Sequence, residues 1–167
     1  MTKAERIEEI RNQIAALEKE LYELNPYAEL PKLSNKAFGE GWSEPYILSK
    51  VPNLMKKNGA GHDMGGKHYE FIEVKSCRKI FSKEPGGKGW TMNQIHPDEA
   101  DAYLFVWYNC EDGSETICFI PTKDMIEKCS LNRQHGDGCF TLSETINNKE
   151  VLSNYIIGSW EELNEVV

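Results

Sequence analysis

The stretch GHDMGGKHYEFIEVKSC, residues 61–77, sets charges where a chain usually avoids them. Phe71, Ile72, Glu73 and Val74 read as a buried strand, yet Glu73 interrupts the run and Lys75 follows two positions later. Side chains alternate along a strand, so Glu73 and Lys75 share one face while Ile72 and Val74 share the other. Asp63 stands upstream in a glycine-rich turn, and a hairpin at Gly65 and Gly66 brings it toward the same strand end. Two convergent carboxylates make an oxygen-rich site that suits a hard cation such as Mg2+, which completes its shell with waters and phosphate oxygens. A lysine beside them can orient an attacking water and stabilise charge building on a phosphate. That set suits phosphodiester hydrolysis. The plain alternative is a partly buried ion pair, which is costly without close pairing and further hydrogen bonds.

GHD followed by EFIEVKS resembles the PD-(D/E)XK nuclease superfamily, which includes most type II restriction endonucleases. The resemblance covers roughly residues 38–108 by motif order, and the stretch WTMNQIHPDEADAYLFVWY is similar to the Gln-containing segment that leads into the next core strand of such enzymes. It implies that Asp63 and Glu73 hold Mg2+, with Mn2+ as a substitute, and that Lys75 serves the hydrolytic water. Some members add a glutamate from the preceding helix, a place offered here by Glu44 and, second to it, Glu40. Gly61 and His62 precede the first acid where the motif has proline. An acid such as Glu44 is also favoured at a helix N-terminus for reasons unrelated to catalysis.

A nuclease must hold a backbone. Arg78, Lys79, Lys83 and Lys88 follow the strand, with Phe81 and Trp90 among them as candidates for stacking on bases. Lys56 and Lys57 are read as the end of a helix near the site. Asn93, Gln94 and His96 form one candidate reading segment, and Arg133, Gln134 and His135 a second, since Arg favours guanine and Gln or Asn adenine in the major groove. Polar loop residues more often only face solvent; His62 and His68 are read that way. The formal net charge of -8 argues against passive binding of a polyanion, but local basic patches and a bound cation decide contact.

The elements that must position these groups follow from periodicity. Ile7, Ile10, Ile14, Leu17, Leu21 and Leu24 recur at heptad spacing, predicting a helix over residues 1–25 that either folds back on its own domain or pairs with a second copy. Pro26 ends it. Residues 34–167 are expected to form the nuclease-like domain. GEGWSEPYILSKVPNLMKKNG reads as a helix capped by Ser43, with Tyr46, Ile47, Val51, Leu54 and Met55 inward and Pro52 kinking or splitting it. A strand over 68–76, a polar loop, a strand AYLFVWY, a hairpin partner ETICFIP, a short helix at PTKDMIEKC and a final helix from Ser159, capped with Glu162, complete the order. CFTL and VLSNYII read as strands or irregular chain. The expected class is α/β (α+β): a central mixed β-sheet flanked by helices, with a restriction-endonuclease-like core.

Five cysteines, an odd number without a CxxC pair, read as reduced thiols. Cys129, His135 and Cys139 have spacings a metal could use, but packed thiols are the expected state. The N-terminus lacks an apolar signal core, so a cytoplasmic location is expected. The functional expectation is a Mg2+-dependent endonuclease acting on duplex DNA as a homodimer. The alternatives are a repair, phage or mobile-element nuclease on branched or single-stranded DNA, and a non-catalytic coiled-coil module.

Overall fold

A computed structural model describes residues 1–59, 62–82, 89–136 and 138–167. α1 (Lys3–Leu24) begins with a reciprocal cap: Thr2 Oγ1 accepts from the Glu5 amide, and Glu5 accepts from the Thr2 amide. These bonds satisfy donors that the helix itself leaves open. The helix contains no buried residue, so it does not fold back on its own domain. Asn25 ends it and ties it down, its side-chain amide donating to the Cys110 carbonyl at 2.9 Å.

The helix expected from Ser43 starts earlier. α2 (Asn35–Phe38) runs through a π turn at Gly39–Ser43 into α3 (Glu44–Lys50). Ser34, not Ser43, is the cap, accepting from the Ala37 amide. Ser43 is buried mid-helix, where its hydroxyl meets those of Ser76 at 2.5 Å and Tyr108 at 3.1 Å. α3 ends at Lys50, before Pro52, because proline disfavours the helical region for the residue preceding it. Beyond it lies β1 (Met55–Lys56), so Lys56 does not end a helix, and Met55 is 63% exposed rather than in the core.

β2 (Met64–Gly65), β3 (Ile72–Cys77), β5 (Ala102–Tyr108), β6 (Glu115–Pro121) and β9 (Ile156–Ile157) join β1 in a six-stranded mixed sheet of order β1-β2-β3-β5-β6-β9. Only β3 and β5 run parallel within it. β4 (Thr91–Ile95), β7 (Asn132–Arg133) and β8 (Phe140–Ser143) form a second, antiparallel sheet of order β4-β8-β7. The reading of 78–99 as a loop therefore misses a strand. VLSNYII divides between α5 (Ile146–Ser153) and β9, whereas α4 (Thr122–Lys128) and α6 (Trp160–Val166) stand where expected. Ser159 caps α6 by accepting from the Glu162 amide, and Glu162 reaches back to the Gly158 amide.

Every residue of β5 is buried, as a central strand covered on both faces requires. Ala102, Leu104, Val106 and Tyr108 enter one core with Phe38, Ile47, Trp160 and Leu163. Tyr103, Phe105 and Trp107 enter the other, with Trp90, Met92, Leu142 and Leu152. The first core lies under α2, α3 and α6, and the second under the small sheet together with α4 and α5. The molecule is thus mixed α/β, with a mixed sheet flanked by helices. Among the described residues no helix is long and apolar enough to cross a membrane.

Asn148 locks α5 to this frame. It is fully buried, accepts from the Ser130 amide at 2.8 Å and donates to the Ser130 and Ser143 carbonyls at 3.0 and 2.9 Å. Asn148→Ala strands those backbone groups and is expected to lower unfolding free energy in urea by about 2–3 kcal/mol. Asn147→Ala, at an exposed neighbour, should cost under about 1 kcal/mol.

Candidate active site

Period-2 alternation puts Ile72 and Val74 into the helix-side core and turns Glu73 and Lys75 to the opposite face, beside Tyr103 and Phe105 of β5. Glu73 Oε1 and Lys75 Nζ meet at 2.6 Å, with side chains only 9% and 17% exposed. Asp63 joins from the neighbouring strand. Its amide donates to the Ile72 carbonyl and its Oδ2 accepts from the Val74 amide, each at 2.9 Å. These two bonds bracket Glu73, so the hairpin register itself places the first acid against the second. Burial raises the Glu73 carboxyl, Lys75 pulls it the other way, and the nearby Asp63 charge raises it further.

Glu44 completes an acidic wall. Burial, then the Asp63 charge, raise its carboxyl from 4.5 to about 7, with Glu40 and Glu73 adding and Lys56 opposing. The π turn matters here. One residue is added to the helical turn between Gly39 and Ser43, its hydrogen bond closing from the Glu44 amide to the Gly39 carbonyl. Glu40, within this turn, and Glu44, just after it, both line the cleft.

The cleft has a volume of about 560 Å3. Its floor is β3 from Glu73 to Cys77 with Arg78 and Lys79, one wall is α2 and the π turn, and the other is β4 from Thr91 to Gln94. Asp63, Glu73, Lys75, Glu44, Arg78, Lys79, Asn93 and Gln94 thus share one opening. Gln94 adopts a left-handed backbone, φ 55°, at a register break in β4. Its amide donates to Gln134 Oε1 at 2.9 Å, joining the two candidate reading segments that the sequence leaves apart.

Other expected contacts are placed differently. Arg78 is committed to the fold: its guanidinium donates to the Leu30 and Leu33 carbonyls and to Asn35 Oδ1, and lies 4.8 Å from the Phe38 ring centre. Lys79 is exposed and donates to the Gly89 carbonyl at 2.9 Å. Lys83 and Lys88 lie outside the described residues. Trp90 and Phe81 are core residues packed on Trp107, closed to bases. His96 does not line the cleft; its amide donates to the Tyr103 hydroxyl at 3.1 Å. Arg133 is exposed at the edge of the small sheet. His62 is half-buried against Phe71, ring centres 4.6 Å apart, rather than freely exposed. All five cysteines are free thiols, and burial raises Cys118 and Cys129.

Among the described residues no group of three or more His, Cys, Asp or Glu is placed to hold a metal ion unaided. Asp63, just before β2, and Glu73, on β3, offer two carboxylates, all oxygen, to one open cleft. That donor set fits Mg2+, which binds through one or two carboxylates plus waters and phosphate, and does not fit zinc.

Glu44 gives the acidic wall a pH signature. Its folded carboxyl holds a proton where the unfolded one has lost it, so stability falls as pH rises from 4.5 to about 7. Half-exposure screens the effect. Relative to wild type, Glu44→Gln should gain about 1 kcal/mol across that window and nothing further above it, read from thermal melts over pH. Comparison of the chain with protein-family models and with curated proteins finds no match.

Proposed function

We propose that this chain is a Mg2+-dependent deoxyribonuclease with a restriction-endonuclease-like core, cutting duplex DNA as a homodimer. One observation carries the reading: an acid and an amine pair on β3, a second carboxylate is tied to the same strand through the Val74 amide, and all three line one cleft with a polar wall. Asp63 and Glu73 lie close enough for the charge of the first to raise the carboxyl of the second, an unfavourable way to keep two acids that a cation between them would relieve. Mg2+, when bound, polarises a phosphoryl oxygen and acidifies a bound water.

The chain's own groups do the rest. Asp63 and Glu73 present oxygens held in place by β2 and β3. Were Glu73 to hold a cation, the Lys75 ammonium would be available to hold the attacking water or the developing negative charge. Glu44, with its carboxyl near 7, can take or return a proton at neutral pH. Lys79 and Lys36 border the cleft where a backbone would enter, and Asn93 and Gln94 stand opposite β3 where base edges would pass. Arg78 acts earlier in the chain of cause, holding α2 against the strand.

A non-catalytic reading has one observation of its own: Glu73 and Lys75 are already paired at 2.6 Å. Two measurements separate the readings. Purified protein should cut plasmid duplex with Mg2+ or Mn2+ and stop with chelator; flap and single-stranded substrates test the alternative nucleases. Asp63→Asn and Glu73→Gln should each lower cutting at least about 1,000-fold; Asp63→Asn keeps the acceptor for the Val74 amide and should melt near wild type, whereas Glu73→Gln strips the Lys75 ammonium of its carboxylate and should melt lower. Lys75→Ala should abolish cutting and also destabilise the fold by roughly 3 kcal/mol, because Glu73 loses its partner. Full cleavage by all three variants rejects the assignment. No cleavage together with no thermal shift at millimolar Mg2+ favours the non-catalytic module.

A further inference from the structure

The six seam residues of α1 are exposed by 41–70%. The chain's own domain covers none of them, and a 22-residue helix extends about 33 Å. Ile7, Ile14 and Leu21 occupy one core position of the heptad and Ile10, Leu17 and Leu24 the other. We infer that α1 is half of an antiparallel two-helix seam completed by a second copy of this chain.

The flanking charges choose the direction. In a parallel pair Arg6 faces Arg11 of the second copy, twice, while Gln13 meets Glu18 without an ion pair. Like charges at these positions oppose association. Reversing one helix sets Arg11 against Glu18 of the second copy, twice, and Gln13 near Glu20. It also stacks every layer as isoleucine on leucine: Ile7 on Leu24, Ile10 on Leu21, Ile14 on Leu17. The helix dipole points the same way. The last turn of α1 has no basic residue, and Glu20 and Glu23 sit at its negative end, an unfavourable placement in isolation. An antiparallel partner brings its Arg11 toward that half.

A groove supports the same pairing. At the C-terminal end of α1, Leu21, Tyr22, Leu30, Leu33 and Trp42 line a mainly apolar depression of about 570 Å3. Only an antiparallel partner lays its first turn, with Met1 and Ala4, over that end. Nothing in this seam depends on the nuclease reading, so a Glu73→Gln chain should associate as wild type does.

The intact chain should sediment as a dimer at micromolar concentration. Ile14→Glu with Leu17→Glu should give a monomer whose domain melts as before, since α1 contributes no buried residue. Charge reversal reads the direction. Arg11→Glu should weaken the antiparallel dimer roughly three- to tenfold, because the introduced carboxylate would face Glu18, whereas it would tighten a parallel one by facing Arg6. Glu18→Arg should weaken it similarly, and the two reversals together should restore wild-type affinity. A monomer at about 100 µM overturns the pairing. A dimer that Arg11→Glu tightens, or that neither reversal changes, overturns the orientation.

Discussion

An acid and an amine closed from water on one strand constrain everything around them. Glu73 and Lys75, 2.6 Å apart and nearly buried, stay charged only while each has the other, because a lone ion there would carry several kcal/mol of desolvation. The strand must therefore hold its period and the hairpin its register, and the flanking layers leave an opening above the pair. Asp63 ties these demands together. Its backbone and side chain bond to Ile72 and Val74 on either side of Glu73, so a slip in register would remove the first acid and misplace the second at once.

The two cores serve that opening. β5 is buried on both faces and gives β3 a rigid parallel neighbour. α2, α3 and α6 pack over one face and the β4-β8-β7 sheet with α4 and α5 over the other, and the cleft is the gap between α2 and β4 above β3. Ser43 marks how tightly the helix side is drawn in, its hydroxyl bonded to Ser76 of β3 and Tyr108 of β5. On the other side, the left-handed Gln94 and its bond to Gln134 hold the polar rim of the small sheet in a shape that regular pairing would not produce.

Much of the site is legible in the order of residues. Alternation around Glu73 and Lys75 identifies a strand with a polar face; the turn read at Gly65-Gly66 lies later, because Gly65 is in β2, paired with Met55, and the chain reverses between Gly66 and Ile72. The apolar run AYLFVWY and the Ser159 cap with Glu162 are equally plain, because each rests on local chemistry. What escapes depends on long-range partners. TMNQI has no clean alternation, since a bulge shifts its register between Met92 and Ile95, so β4 reads as loop. Arg78 looks like a phosphate contact because its three carbonyl and amide acceptors lie more than forty positions away in sequence. Trp90 and Phe81 sit among glycines and lysines, and only the second core shows why they are buried. INNKEVLS carries too few apolar residues to announce α5; buried Asn148 and Lys149 replace the usual greasy face.

The account stands on a cation between Asp63 and Glu73. Its most direct test is diffraction from crystals soaked in manganese, with data collected to bring out the metal's anomalous signal. The expected result is a peak bridged by the Asp63 and Glu73 carboxylates, with the Lys75 ammonium drawn away from Glu73. An intact Glu73–Lys75 contact and no peak at saturating manganese would contradict it.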